Sequence, residues 1–113
     1  MIEAPRRTDA ATLARFFRVL GDPTRLRLLA ELEAGERTVT ELIDALGGVQ
    51  ARISTHLACL RHCGFVTTER RGRRIVYRLV LRGLDDLVDQ AGDVSEPVAE
   101  RLATCTRVGP EWA

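Results

Sequence analysis

Along the first half of the chain large apolar residues recur every third or fourth position, and glycine cuts the pattern at Gly21, Gly35, Gly47-Gly48 and Gly64. After Gly64 the period changes to alternation. A helical stripe cannot serve as a strand face, nor the reverse, so this switch restricts the chain to helices followed by a hairpin. Leu13, Phe16, Phe17 and Leu20 have the i, i+3, i+4, i+7 spacing of a first helix, with Asp9 as its cap. Asp22-Pro23 opens a second, because proline's missing N–H costs nothing at the first helical position. Leu26, Leu29 and Leu32 give that helix its apolar face. Thr38 with Glu41 three residues on is a capping box for a short third helix carrying Val39, Leu42, Ile43 and Leu46. A fourth is expected from Val49 or Gln50 to Cys63.

Two helices joined by a short glycine turn, the second opening with polar residues, form a helix-turn-helix. Residues 66–70 and 74–79 read as strands about a tight Arg71-Gly72-Arg73 turn. The expected fold class is therefore mainly α with a β-hairpin wing, a winged helix-turn-helix. A last helix is predicted over 84–91, ended by Gly92, with a shorter one from Ser95 or Glu96 to about Ala103. The 113 residues suit one domain, its core at about 9–92 and a C-terminal extension at 93–113.

Net charge is +1, but residues 45–84 hold eight arginines against one acid, Glu69, while residues 85–113 hold two against seven acids. A neutral average thus hides a basic middle suited to a polyanion. All 17 basic residues are arginine, whose planar fork pairs with phosphates and guanine edges. No apolar run is long enough to span a bilayer, and Met1–Arg7 lacks a signal peptide's apolar core, so a cytoplasmic protein is expected. Three cysteines, an odd number, argue there against a disulfide framework. The chain has neither a Cys-x-x-Cys motif on a βαβ pattern nor a phosphate-binding loop, so an enzyme is not expected.

On a wheel of about 100° per residue centred on Ile53, Leu57 and Leu60 fall within about 40° of it and form the core stripe. Gln50, Ala51, Ser54 and Thr55 lie opposite, at the helix end that enters a major groove. Glutamine pairs with adenine, the hydroxyls with several base edges, and the alanine methyl with thymine. Arg70, Arg71, Arg73 and Arg74 would grip phosphate or the minor groove from the wing. Arg52 points toward the cysteine side. Cys59 and Cys63, one turn apart, fall on the flank of the core stripe, where two thiolates can converge on a soft cation. His56 lies near that flank and suits packing better than ligation; His62 faces away.

In order and at these spacings, three segments resemble the ArsR/SmtB family of small dimeric winged-helix repressors. They are Leu20-Gly21-Asp22-Pro23-Thr24-Arg25-Leu26-Arg27-Leu28-Leu29, then Ile53-Ser54-Thr55-His56-Leu57 with Leu60-Arg61-His62-Cys63-Gly64-Phe65-Val66, and the wing Arg70-Arg71-Gly72-Arg73-Arg74-Ile75-Val76-Tyr77. The resemblance covers roughly residues 10–90 and implies a homodimer on double-stranded operator DNA, released when a metal binds. One metal site of the family needs a Cys-x-Cys pair where this chain has Arg37-Thr38-Val39-Thr40-Glu41-Leu42. Another needs histidine on the last helix, where Asp85, Asp86 and Asp89 stand without one. Cys59-x-x-x-Cys63 with the tail Cys105 is similar to the CmtR-type cadmium/lead sensors, which implies these three cysteines as ligands and Cd(II) or Pb(II) as effector. Hg(II), As(III), a thiol redox switch and plain semi-buried thiols stay open as alternatives. The apolar faces of the first and last helices are the expected dimer interface.

Overall fold

In a computed structural model residues 9–108 are described. The stretch Met1–Arg7 and the end of the extension, 109–113, lie outside them. Each of the first three helices starts where a side chain satisfies its free N–H groups. Asp9 accepts from the Thr12 N–H (2.9 Å) at the head of α1, Ala10–Leu20. Asp22 accepts from the Thr24 and Arg25 N–H groups (2.8 and 3.2 Å) at the head of α2, Pro23–Glu33. Thr38 and Glu41 close the reciprocal capping box of α3, Val39–Leu46 (2.8 and 3.2 Å). Gly47, left-handed at φ 67°, turns the chain into α4, Gln50–His62.

The end of α4 is a Schellman stop: Gly64 N–H donates to Arg61 C=O and Phe65 N–H to Leu60 C=O (3.1 and 2.9 Å). Gly64 stands at φ 82°, a conformation costly for any residue with a Cβ. This stop aims Phe65 back into the core, where its ring stacks on Phe16 of α1 at 5.3 Å between centroids. Leu28, Leu42, Ile53, Leu57 and Leu60 are fully buried at the meeting of α2, α3 and α4.

The hairpin pairs β2, Val66–Arg71, with β3, Arg74–Leu79, from Val66↔Leu79 to Arg71↔Arg74. Its turn is the two residues Gly72-Arg73, tighter than the three-residue turn expected. A two-residue strand, β1 (Arg37–Thr38), pairs antiparallel with β3 and was not foreseen. Two residues are too few to show an alternation, and Thr38 reads first as a helix cap.

The last helix departs from expectation in its end. α5 runs Leu84–Ser95, through Gly92. A Cβ at Gly92 would meet nothing within 4 Å, so the glycine is an exposed weak point of about 1 kcal/mol and not a stop. Pro97 stops it instead, because its ring opposes the carbonyl four residues back. A 3-10 turn, Glu96–Val98, then leads into the short α6, Ala99–Thr104. Every residue from Glu96 to Val108 is exposed in the protomer. Among the described residues, no helix is long and apolar enough to cross a membrane.

Candidate nucleic-acid interface and metal site

Burial of Ile53, Leu57 and Leu60 fixes how α4 presents its remaining faces. Gln50, Ala51, Ser54 and Thr55 are all exposed, at the helix's N-terminal end. The Thr55 hydroxyl donates to Ala51 C=O (2.9 Å), so toward a base it offers its lone pairs and methyl. Val49, at the cap position, gives no side-chain hydrogen bond, which leaves the first N–H groups of α4 open to phosphate or water. Arg52 is exposed as well.

The four wing arginines are all exposed, but they are not equivalent. Arg71 is held by Glu36, on the loop before β1, through two nitrogens and by Glu69 at 3.1 Å. Arg78 donates to the same two carboxylates at 3.2 and 2.9 Å. Both carboxyls are held below the usual carboxylate range by hydrogen bonds from Arg71 first and Arg78 second. Among the described residues, no ion pair engages Arg70, Arg73 or Arg74. Three arginines of the expected grip thus face solvent, while the fourth ties the wing to the body of the protein. Glu36 and Arg78 were missed, since a partner 35 or 42 residues distant leaves no local signal.

Cys59 is half-buried and Cys63 exposed on the flank of α4. Desolvation pushes the Cys63 thiol up, the charge of Cys59 and a hydrogen bond with it add to this, and Arg25 opposes it. The two cysteines stand one helical turn apart, at the C-terminal end of α4 and at its cap. Arg25 approaches from α2, its Nη1 4.0 Å from the Cys59 sulfur and 3.5 Å from His56 Nδ1. His56 Nε2 lies 3.7 Å from Asp22, so this half-buried ring is wedged against the start of α2. His62 is exposed. Cys105, exposed at the end of α6, does not join the pair within the protomer. Among the described residues, no three Cys, His, Asp or Glu side chains converge as a metal site would require.

A buried-cored helix presenting a polar face beside an arginine-tipped hairpin defines a winged helix-turn-helix of the DNA-binding kind. Residues 22–68 match the family model described as bacterial regulatory protein, arsR family. The chain is 42% identical over 104 residues to a probable mercury resistance operon repressor of Streptomyces lividans, covering 92% of this chain and 83% of that one. It is 41% identical over 101 residues to the regulator CmtR of Mycobacterium tuberculosis, covering 83% and 86%. The chain belongs to the arsR family of bacterial regulatory proteins. Among solved structures it is similar to the repressor BigR of Xylella fastidiosa, with a TM-score of 0.69, 34% identity and coverage of 75% of this chain and 87% of that one. It is also similar to a homodimeric winged helix-turn-helix DNA-binding domain of Mycobacterium bovis, with a TM-score of 0.66, 28% identity and coverage of 89% and 95%.

Proposed function

We propose that this metal-responsive arsR-family repressor takes a soft, thiophilic cation at Cys59 and Cys63, with the partner subunit's Cys105 as third ligand, and that loading weakens its hold on operator DNA. The observation that carries the reading is the thiol pair one turn apart on α4, Cys59 half-buried and Cys63 exposed, with Gln50, Ala51 and Ser54 on other faces of the helix and Thr55 one turn before Cys59. A ligand there acts by moving the helix. An all-sulfur donor set suits Cd(II) or Pb(II) and not Mg(II) or Ca(II). When bound, such an ion takes up thiolates at the cost of their protons, which ties its affinity to pH.

The apo form is a homodimer on a palindromic operator, its two recognition helices about one turn (~34 Å) apart. Leu13 and Phe17 of α1 and Val88 of α5 are exposed, and an apolar cleft of about 210 Å³ opens between α2 and α5. The radius of gyration, 15.9 Å, exceeds the roughly 13 Å of a compact chain of this length. Such an open protomer with exposed apolar helices favours a partner, and the Mycobacterium bovis relative is described as homodimeric. Cys105, on the outlying α6 arm, then reaches a thiol pair across the dimer.

Hg(II) is the second reading, favoured by the Streptomyces lividans relative and by an ion that two thiolates can satisfy. Gel-shift titration against Cd, Pb, Hg, Zn and As(III), with ultraviolet charge-transfer spectra, separates them. One equivalent per protomer with operator release identifies the effector. Cys59→Ser and Cys63→Ser should bind operator like the wild type and no longer release it. A variant that fails to bind DNA without metal would assign the thiols a structural role, and absence of a band with every ion would refute the metal reading.

A further inference from the structure

Arg25 is the third residue of α2, its backbone N–H fixed by the Asp22 cap at 3.2 Å. Its guanidinium reaches in two directions. Toward α1, Nε donates to Val19 C=O (2.6 Å) and Nη2 to Arg18 C=O (3.2 Å). Those are last-turn carbonyls, among the four that an α-helix leaves without an internal partner, and a cation there also suits the helix dipole. Toward α4, Nη1 meets His56 Nδ1 (3.5 Å) and the Cys59 sulfur (4.0 Å). One rigid, planar group therefore joins the end of α1 to the thiol pair on the recognition helix. The face of α1 carrying Leu13 (38% exposed) and Phe17 (50% exposed) is among the surfaces assigned above to the partner subunit.

We infer that Arg25 is a positioning residue that couples the state of the Cys59–Cys63 pair to α1 and so to the dimer; this rests on the metal reading of that pair. A neutral thiol is a weak acceptor, and at 4.0 Å the bond from Nη1 is a loose one. Three thiolates around a divalent cation leave a net charge of −1, and hydrogen bonds to a charged acceptor are about twice as strong as neutral ones. Loading the pair thus draws Nη1 toward Cys59. Because the guanidinium is rigid, Nε and Nη2 move with it and draw the Val19 and Arg18 carbonyls at the end of α1 after them. That pull changes how α1 sits on its partner and hence the spacing of the two recognition helices; without the fork α1 rests on its own packing, with Arg18 C=O still accepting from the Gly21 N–H (3.1 Å). His56, braced between Asp22 and Arg25, keeps the fork beside Cys59.

The test uses the full chain with Arg25→Gln and Arg25→Lys. Cd(II) binding is read by ultraviolet charge transfer, and operator affinity by fluorescence anisotropy with and without Cd(II), after circular dichroism confirms folding. Wild type should show a ratio of apo to loaded affinity within the ordinary allosteric range of about 5- to 150-fold. Arg25→Gln should bind operator as an apo protein within about threefold of wild type, still give the charge-transfer band, and show a ratio below about threefold. Arg25→Lys keeps the charge, so it should bind Cd(II) like wild type; lacking the fork, it should show the same collapsed ratio, and it decides the matter if the glutamine variant does not fold. Unchanged ratios in the folded variants overturn this inference alone. A wild type without a charge-transfer band with Cd(II), Pb(II) or Hg(II) overturns the metal reading and this inference with it.

Discussion

The salt dependence of DNA binding should separate two wing arginines that sit two residues apart. Each phosphate contact to duplex DNA contributes about 0.9 to the slope of log affinity against log salt. Arg73, at the hairpin turn, is exposed and engages no ion pair among the described residues, whereas Arg71 is held by Glu36 and Glu69. A dimer carries two copies, so Arg73→Gln should lower the slope by about 1.8. Across a fourfold rise in salt, from about 50 to 200 mM, this variant should lose about 12-fold less affinity than the wild type. Arg71→Gln should leave the slope unchanged. It should lower affinity at every salt concentration, because the wing loses its tie to the loop before β1. Fluorescence anisotropy on a random-sequence duplex, where phosphate contacts supply nearly all the affinity, gives the slopes directly. Equal slope losses in the two variants would refute the clamp, and an unchanged slope in Arg73→Gln would refute the wing's grip on phosphate.

Thr38→Ala removes half of the capping box and should destabilise the protein by about 1 kcal/mol, lowering Tm by roughly 4–8 °C in a thermal melt. Leu57→Ala opens a cavity at a fully buried position and should cost about 2–5 kcal/mol, measured by urea unfolding. The Glu36 and Glu69 carboxyls titrate below their ordinary value of 4.5 in the folded chain. A lowered folded pKa contributes stability above the unfolded pKa that is lost as pH falls through the folded one. The Tm difference between wild type and the Glu36→Gln variant should therefore be largest near pH 6–7 and shrink below about pH 4.5; a constant difference down to pH 3 would show that the carboxylate charge is not responsible.

Local interactions explain why so much of this fold was legible in one dimension. The caps at Asp9, Asp22 and Thr38 act within three residues of themselves, and the Gly64 stop reaches back no further than Leu60. Helical periodicity alone places Ile53, Leu57 and Leu60 inward, and with them the outward face of Gln50, Ala51, Ser54 and Thr55 and the flank of Cys59 and Cys63. The error at Gly92 arose because an exposed glycine weakens a helix without breaking it, while Pro97, four residues beyond Asp93, removes a donor and clashes with a carbonyl.

What tertiary structure alone decided is which charged side chains meet. Arg25 reaches Cys59 across 34 positions and Arg71 reaches Glu36 across 35. An arginine's local context is the same whether its fork ends on a carboxylate, a sulfur or a phosphate, because packing of the elements that carry it selects the partner. So the sequence by itself determined a winged helix-turn-helix with two thiols on the flank of its fourth helix. Packing decided that Arg71 belongs to the protein, that Arg25 belongs to the thiols, and that Cys105 stands apart from them within one protomer.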